Sequence, residues 1–377
     1  AYEIGVRLVG SEMCIRDRDM ATEPPLKILL ISDSKPGHVS QSLGLIKVIE
    51  RIRPVEVTEL VVSLRLKILR LLLRHAINKN SRWRTFLIEK SYGFEITDSS
   101  GFHLIVSSGG DTSFASAALA REWGIPNFYL GSLRALRPEL FSRIFTLDAV
   151  SDERGEMVPN NVLMPLLPSK GLSESDFQEA ARLRESGAGN LVFTLVLGGD
   201  GVGYRYTDAD WKNLADAMNF YSVNNAARWL IITSRRSGST VEKVLKSSLQ
   251  SAYILESTYY SDSPQSNKVA CYAKASDLTF CSEDSMTMLN EALLAGARVI
   301  AISPERVKSP RRYESKIHRL SQNRFIQRCS INSLKDLQPK NLDTLAQPDL
   351  EEWNERFSDA VRRAISKLTY TDSTGCD

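Results

Sequence analysis

The stretch DLTFCSEDSMTMLNEALLAGARVIAIS, Asp277 to Ser303, decides the fold class. An apolar run ends near Cys281, a polar turn carries Glu283 and Asp284, and a helical period starts near Ser285. ARVIAIS is then continuously apolar again. Short runs of this kind are strands buried on both faces, as in a parallel sheet with helical crossovers. Free N–H groups at the strand-to-helix turn favour an anion. Glu283 and Glu291 have seven residues between them, and apolar residues surround the second. A buried carboxylate is costly without a partner. Either Glu291 accepts from ligand hydroxyls, such as those of a ribose, or it pairs with a surface base while Glu283 and Asp284 cap the helix.

The same plan recurs on both sides of this stretch. LKILLIS (Leu26 to Ser32) leads through DSKPGHVS into a helix expected over QSLGLIKVIERI, and FHLIVSSGGDTSFASAALARE repeats strand, glycines and helix. MPLLPSKGLSESD, Met164 to Asp176, is rich in Pro, Ser and Gly and reads as a linker. After it the plan restarts with NLVFTLVLGGDGVGYRYTDADW and RWLIITSRRSGSTVEKVL. The fold class is therefore α/β, two Rossmann-like domains facing a cleft. The expected boundaries are 20–167 and 168–346, followed by a C-terminal helix and tail over 347–377. That helix carries Leu350, Trp353, Phe357, Ala360, Val361 and Ala364 on one face and should pack that face on the body of the protein.

Composition narrows the class. With 377 residues and a formal net charge of +3, the chain is large enough for two domains and too weakly charged overall to imply nucleic acid. Cys14, Cys271, Cys281, Cys329 and Cys376 are scattered without metal-ligand spacing, so they read as reduced cytosolic thiols. Residues 1–19 contain SEMCIRDR, which resembles translated sequencing-adapter sequence, and are read as a non-native tail before Met20.

Several loops could carry chemistry. In LGGDGVGYRY, Gly199 and Gly201 would let the backbone approach a phosphate, although a plain turn has the same composition. In TSRRSGST, Arg235 and Arg236 sit before a helix N-terminus, either as a pyrophosphate clamp or as solvated surface charges. In SDSKPGH, Lys35, Gly37 and His38 follow the first strand; the His is either a general base or packed in a turn. SSGGDTS offers Gly109, Gly110, Asp111 and Thr112 to an acceptor. Asp208 and Asp210 imitate a metal-binding Asp-x-Asp, but their position before a helix reads as capping, so no metal is expected.

LRLKILRLLLRHAINKNSRWRTFLI, Leu64 to Ile88, contains no acid. Its basic residues, among them Lys67, Arg70 and Arg74, alternate with leucines. The stretch is expected to form a basic amphipathic helix that docks on an anionic membrane surface, or else a buried helix with a solvated basic edge.

SDSKPGH, SSGGDTS, LGGDGVGYRYTDADW, TSRRSG and SEDSMTMLNEA together resemble the mitochondrial-fission ELM family, and they span Ser32 to Ala292 in the family's order. That family is similar to glycosyltransferases of the GT-B fold, which implies two Rossmann-like domains, a cleft, and a C-terminal helix packing back on the first domain. The resemblance implies a nucleotide-sugar donor as substrate, no cofactor, and transfer to a lipid-linked or membrane-associated acceptor at the cytoplasmic face of a membrane. It implies a catalytic Glu283 beside the donor sugar and a donor site of Gly199, Gly201, Arg235, Arg236, Asp284, Ser285 and Glu291, with Glu291 on the ribose. An acceptor site of Lys35, Gly37, Gly109, Gly110, Asp111 and Thr112 would lie beside a catalytic His38. The Glu pair resembles retaining enzymes, whereas KPGH resembles an inverting one. The alternative is a catalytically silent scaffold that recruits a partner protein to a membrane.

Overall fold

The computed structural model describes residues 24–65, 68–93, 101–152, 154–264, 267–338 and 349–372, without the side chains of 367–372. Its described part forms two compact units. The first takes the residues up to Leu163 together with those from Glu355 onward; the second is Met164–Asn354.

The first unit holds a six-stranded parallel sheet, in the order β2-β1-β3-β4-β5-β6. Its strands are β1 (Leu26–Ser32), β2 (Val55–Val61), β3 (Leu104–Ser108), β4 (Asn127–Leu130), β5 (Arg143–Thr146) and β6 (Asn161–Leu163). The helices α1 (Pro36–Glu50), α2 (Leu69–Asn78), α3 (Arg84–Tyr92) and α4 (Thr112–Trp123) connect them. β3 is buried at every residue, the apolar Leu104–Val106 and the small Ser107 and Ser108 alike.

The second unit repeats the design, in the order β10-β9-β7-β11-β12-β14. Its strands are β7 (Leu191–Leu197), β9 (Ala227–Thr233), β10 (Ile254–Thr258), β11 (Leu278–Ser282), β12 (Val299–Ser303) and β14 (Ile326–Ser330), all parallel. A two-residue antiparallel ribbon joins β8 (Tyr204–Arg205) to β13 (Arg306–Val307). The helices are α5 (Glu174–Ser186), α6 (Asp208–Asn225), α7 (Gly238–Ser248), α8 (Val269–Ala275), α9 (Met286–Leu294) and α10 (Arg311–Gln322). Phe193, Tyr221, Trp229 and Phe280 pack ring against ring on one face of this sheet.

The last helix, α11 (Leu350–Asp372), buries Phe357, Val361 and Ala364, and Phe357 meets Phe145 of β5 edge-on at 5.7 Å. Its apolar face is therefore buried as its period predicts, and it packs back on the first unit as the resemblance implies.

Two local expectations are corrected. α1 begins at Pro36 rather than Gln41, because proline is suited to the first helical turn, where its missing N–H costs nothing. His38 accordingly lies in the first turn of a helix and not in a preceding loop. The basic stretch from Leu64 is two helices, α2 and α3, separated by a turn in which Asn80 takes a left-handed φ of 54°. Lys67 lies outside the described residues.

Candidate active site

In each sheet the strand order reverses once. The reversal falls between β1 and β3 in the first sheet and between β7 and β11 in the second. Loops at the carboxyl ends of such strand pairs form the usual ligand crevice of open α/β sheets.

At the first reversal, Asp33 leaves the end of β1 and its carboxylate faces the His38 ring, with Nδ1 at 2.9 and 3.0 Å from its two oxygens. Lys35 Nζ reaches the same carboxylate at 2.5 Å. Burial would raise the Asp33 pKa, but hydrogen bonds from His38 and Lys35, reinforced by their charges, hold it down at about 2. An ionised carboxylate can only accept, so Nδ1 carries the proton and Nε2 of a neutral ring keeps its lone pair.

The His38 ring lies against Gly109, which has a φ of 98°, and a Cβ there would overlap the imidazole. The SDSKPGH and SSGGDTS motifs therefore meet. Gly110 is covered in the same way by the side chain of Arg134, itself at a φ of 54°. The remaining members of this group also make contacts within the protein. Asp111 pairs with Arg70 at 2.8 Å and accepts from Tyr92 on its carbonyl. Thr112 donates to the carbonyls of Ser108 and Gly109. Lys35 is tied to Asp33, and Gly37 lies in the first turn of α1. Arg70, expected at a membrane, is thus turned toward Asp111; Arg74 is exposed.

The second reversal is built differently. Glu283 is fully buried, and Arg328 of β14 grips both its oxygens, Nε to Oε1 at 2.6 Å and Nη2 to Oε2 at 2.9 Å. Tyr204 donates to the same carboxylate at 3.0 Å. Glu283, expected beside the donor sugar, has both oxygens engaged within the protein and none of its side chain exposed.

Asp284, also buried, faces Arg236 at 2.7 Å and accepts from Tyr206 and the N–H of Gly199. Burial raises its pKa, and Arg236 and the hydrogen bonds offset this in part. Glycine is required at 199, where φ is 110° and a Cβ would overlap the backbone of Arg236; at 198 and 201 a Cβ would meet the side-chain ends of Asp284 and Arg236. The close approach foreseen for a ligand at Gly199 and Gly201 is made by the protein itself.

The serines of TSRRSG act likewise. Ser234 and Ser237 donate to the carbonyl of Gly198, and Ser237 also donates to that of Leu197. Arg235 alone stays exposed, and none of its side-chain nitrogens forms a bond among the described residues. Ser285 precedes α9 with no side-chain capping bond. Glu291, 6% exposed, lies in α9, and its charge adds to burial and Asp284 in raising the Cys281 thiol. Asp210 closes a capping box with Thr207 at the start of α6, so capping is the role of the Asp-x-Asp, with Thr207 as the cap.

Sequence reasoning missed Asp33, Arg134, Tyr206 and Arg328. Asp33 had a readable signal, an acid at a strand end five residues before a histidine. Arg328 had none, since 45 residues separate it from Glu283.

These two reversals in tandem are the GT-B-like arrangement, and the comparisons agree. The S. aureus MnaA–UDP co-structure matches with a TM-score of 0.51 at 13% identity, over 93% of this chain and 98% of that one. UDP-GlcNAc 2-epimerase from Methanocaldococcus jannaschii matches with a TM-score of 0.50 at 14% identity, over 92% of this chain and 100% of that one. At such identities the likeness shows the fold. The family model Mitochondrial fission ELM1 matches residues 36–365, and the chain belongs to that family. No curated protein matches the sequence.

Proposed function

We propose that the chain is a nucleotide-sugar-dependent glycosyltransferase of GT-B type, acting on a membrane-associated acceptor. The Asp33–His38 pair carries this reading. Asp33 fixes the ring so that Nε2 can take the proton of an acceptor hydroxyl. The freed oxygen attacks the anomeric carbon, and the bond from that carbon to the diphosphate oxygen breaks, its electrons leaving with the nucleoside diphosphate. With Glu283 engaged by Arg328, a single displacement with inversion is favoured over a double displacement through a glutamate. Within the second unit, Arg235 is the exposed guanidinium offered to a nucleoside diphosphate, a role that needs no metal. UDP, present in the S. aureus MnaA structure, is the first nucleotide to try.

The second reading, a silent scaffold that recruits a partner, is favoured by the mutual pairing of Glu283, Asp284, Arg236 and Arg328, which leaves few free groups at the second reversal.

Thermal-shift screening against nucleoside diphosphates and their sugars, followed by assay of diphosphate release, distinguishes the two. The glycosyltransferase reading expects stabilisation, release insensitive to a chelator, and a loss of about 10²–10⁴-fold in turnover for His38→Gln with binding retained. Stabilisation without release under any acceptor supports the scaffold. No stabilisation by any nucleotide removes the glycosyltransferase.

A further inference from the structure

We infer that the outer face of the α2–α3 pair is a docking surface for an anionic lipid bilayer. The two helices pack on each other and both pack on α4. Their inner sides are conventional: Leu73, Ala76 and Ile77 of α2 are buried, as are Ile88 and Tyr92 of α3. The outer side of a surface helix is normally polar. Here it is not. Ile68, just before α2, is 79% exposed and Trp83, just before α3, 69%; Leu71, Leu72 and Phe86 are at least half exposed. Ile68, Leu71 and Leu72 follow the i, i+3, i+4 spacing of one helical face. Trp83 and Phe86 meet edge to face at 6.3 Å, and Lys90 lies 5.8 Å from the Phe86 ring centre. Five large apolar side chains exposed within one short stretch form a patch that marks an interaction surface rather than scattered surface residues.

Charge selects the occupant. Not one acid occurs from Leu60 to Ile88. Arg70 and Arg84, the two arginines that face inward, are taken by Asp111 and Glu122. Arg74, Lys79, Arg82 and Lys90 are exposed and form no ion pair among the described residues. Glu89, half-buried, is the acid nearest in sequence to this rim. Protein interfaces are depleted in lysine, whereas helices that lie on membranes combine Lys and Arg with Trp, Phe and Leu. Tryptophan is also enriched at the depth of the headgroups. An apolar face ringed by unpaired cations fits a surface that is anionic outside and apolar beneath. This holds whether or not the protein catalyses transfer, so its failure leaves the activity untouched.

The test is sedimentation of the full chain with vesicles of phosphatidylglycerol in phosphatidylcholine, against pure phosphatidylcholine, at low and high salt. Wild type should bind the anionic vesicles, release in high salt, and show a blue-shifted Trp83 emission that Trp83→Phe abolishes. Arg74→Glu with Arg82→Glu should weaken binding by at least about 25-fold, near fivefold for each lost cation. Trp83→Ser with Phe86→Ser should weaken it about tenfold or more, with an unchanged melting temperature in both double variants. Equal binding to both vesicle types, no binding, or binding that both double variants keep overturns the proposal. So does self-association through this face, seen as a dimer that Trp83→Ser dissociates.

Discussion

The two switch points of this protein share a topology and differ in what their charges have left to give. At the first, Asp33 is spent on orienting a histidine, and the far nitrogen of that histidine stays available. At the second, Glu283 and Asp284 are both buried and each is held by an arginine of the same unit. A carboxylate whose oxygens all have internal partners offers nothing to a substrate, however well its spacing resembles a catalytic pair. Spare hydrogen-bonding capacity, more than position at a strand end, separates a reactive group from a brace.

The strongest way to break this contrast is Glu283→Gln. The amide keeps the shape but turns an NH₂ toward Arg328 or Tyr204, both donors, at a fully buried position. Breaking one side of a buried pair costs about 3–5 kcal/mol, and the partial exposure of Arg328 puts this case near the lower figure. Urea unfolding would read it. Near-wild-type stability with abolished diphosphate release would return Glu283 to the sugar and dissolve the difference between the two sheets.

Next in size is the pair Arg235→Ala and Arg236→Ala. Arg235 is exposed, so its loss should leave stability alone while weakening a nucleoside diphosphate by about 1.5–3 kcal/mol and a nucleoside hardly at all. Arg236→Ala should act the other way round, since it leaves the buried Asp284 facing no cation. Isothermal titration beside thermal unfolding separates the two. If both variants lose affinity and neither loses stability, Arg236 is a ligand group and the second switch point is less closed than its pairing implies.

How much of this was legible in the sequence follows from the range of the interactions. Strands such as LKILLIS and LIVSS could be read because burial on both faces leaves a short, mostly apolar run, ILLI in the first and LIV in the second. The C-terminal helix was legible from its period, and Phe357 and Val361 are buried as that period requires. The break between α2 and α3 was not read, because a leucine and arginine period continues across NKNS while Asn80 turns the chain. The candidate site was legible as a set of loops. The occupants of those loops were not. Nothing local says that Gly199 and Gly201 make room for Arg236, or that Arg328, a whole βαβ unit later, closes on Glu283. Glycine reports that something comes close, and the sequence does not say what.

The smallest effect tests the first switch point directly. Asp33 has a folded pKa of about 2 against an ordinary 3.8, because the donors His38 and Lys35 outweigh the burial that would raise it. An acid with a depressed pKa stabilises the fold fully above its unfolded value and loses that contribution as pH falls through the folded one. The window therefore runs from about pH 4 down to about pH 2. Because Lys35 is exposed and screened, the contribution is about 1–2 kcal/mol rather than the full linkage value. The measurement is the stability of wild type minus that of Asp33→Asn, taken by urea unfolding at a series of pH values. The difference should close toward zero as pH falls from about 4 to about 2, groups remote from Asp33 cancelling between the two proteins. The same variant should lower turnover with little change in donor affinity, because a mis-set tautomer puts the proton on Nε2. A stability difference that stays flat across the window would mean that Asp33 is not held by His38 and Lys35. The ring would then have no fixed tautomer, and the first switch point would be no better prepared for proton transfer than the second.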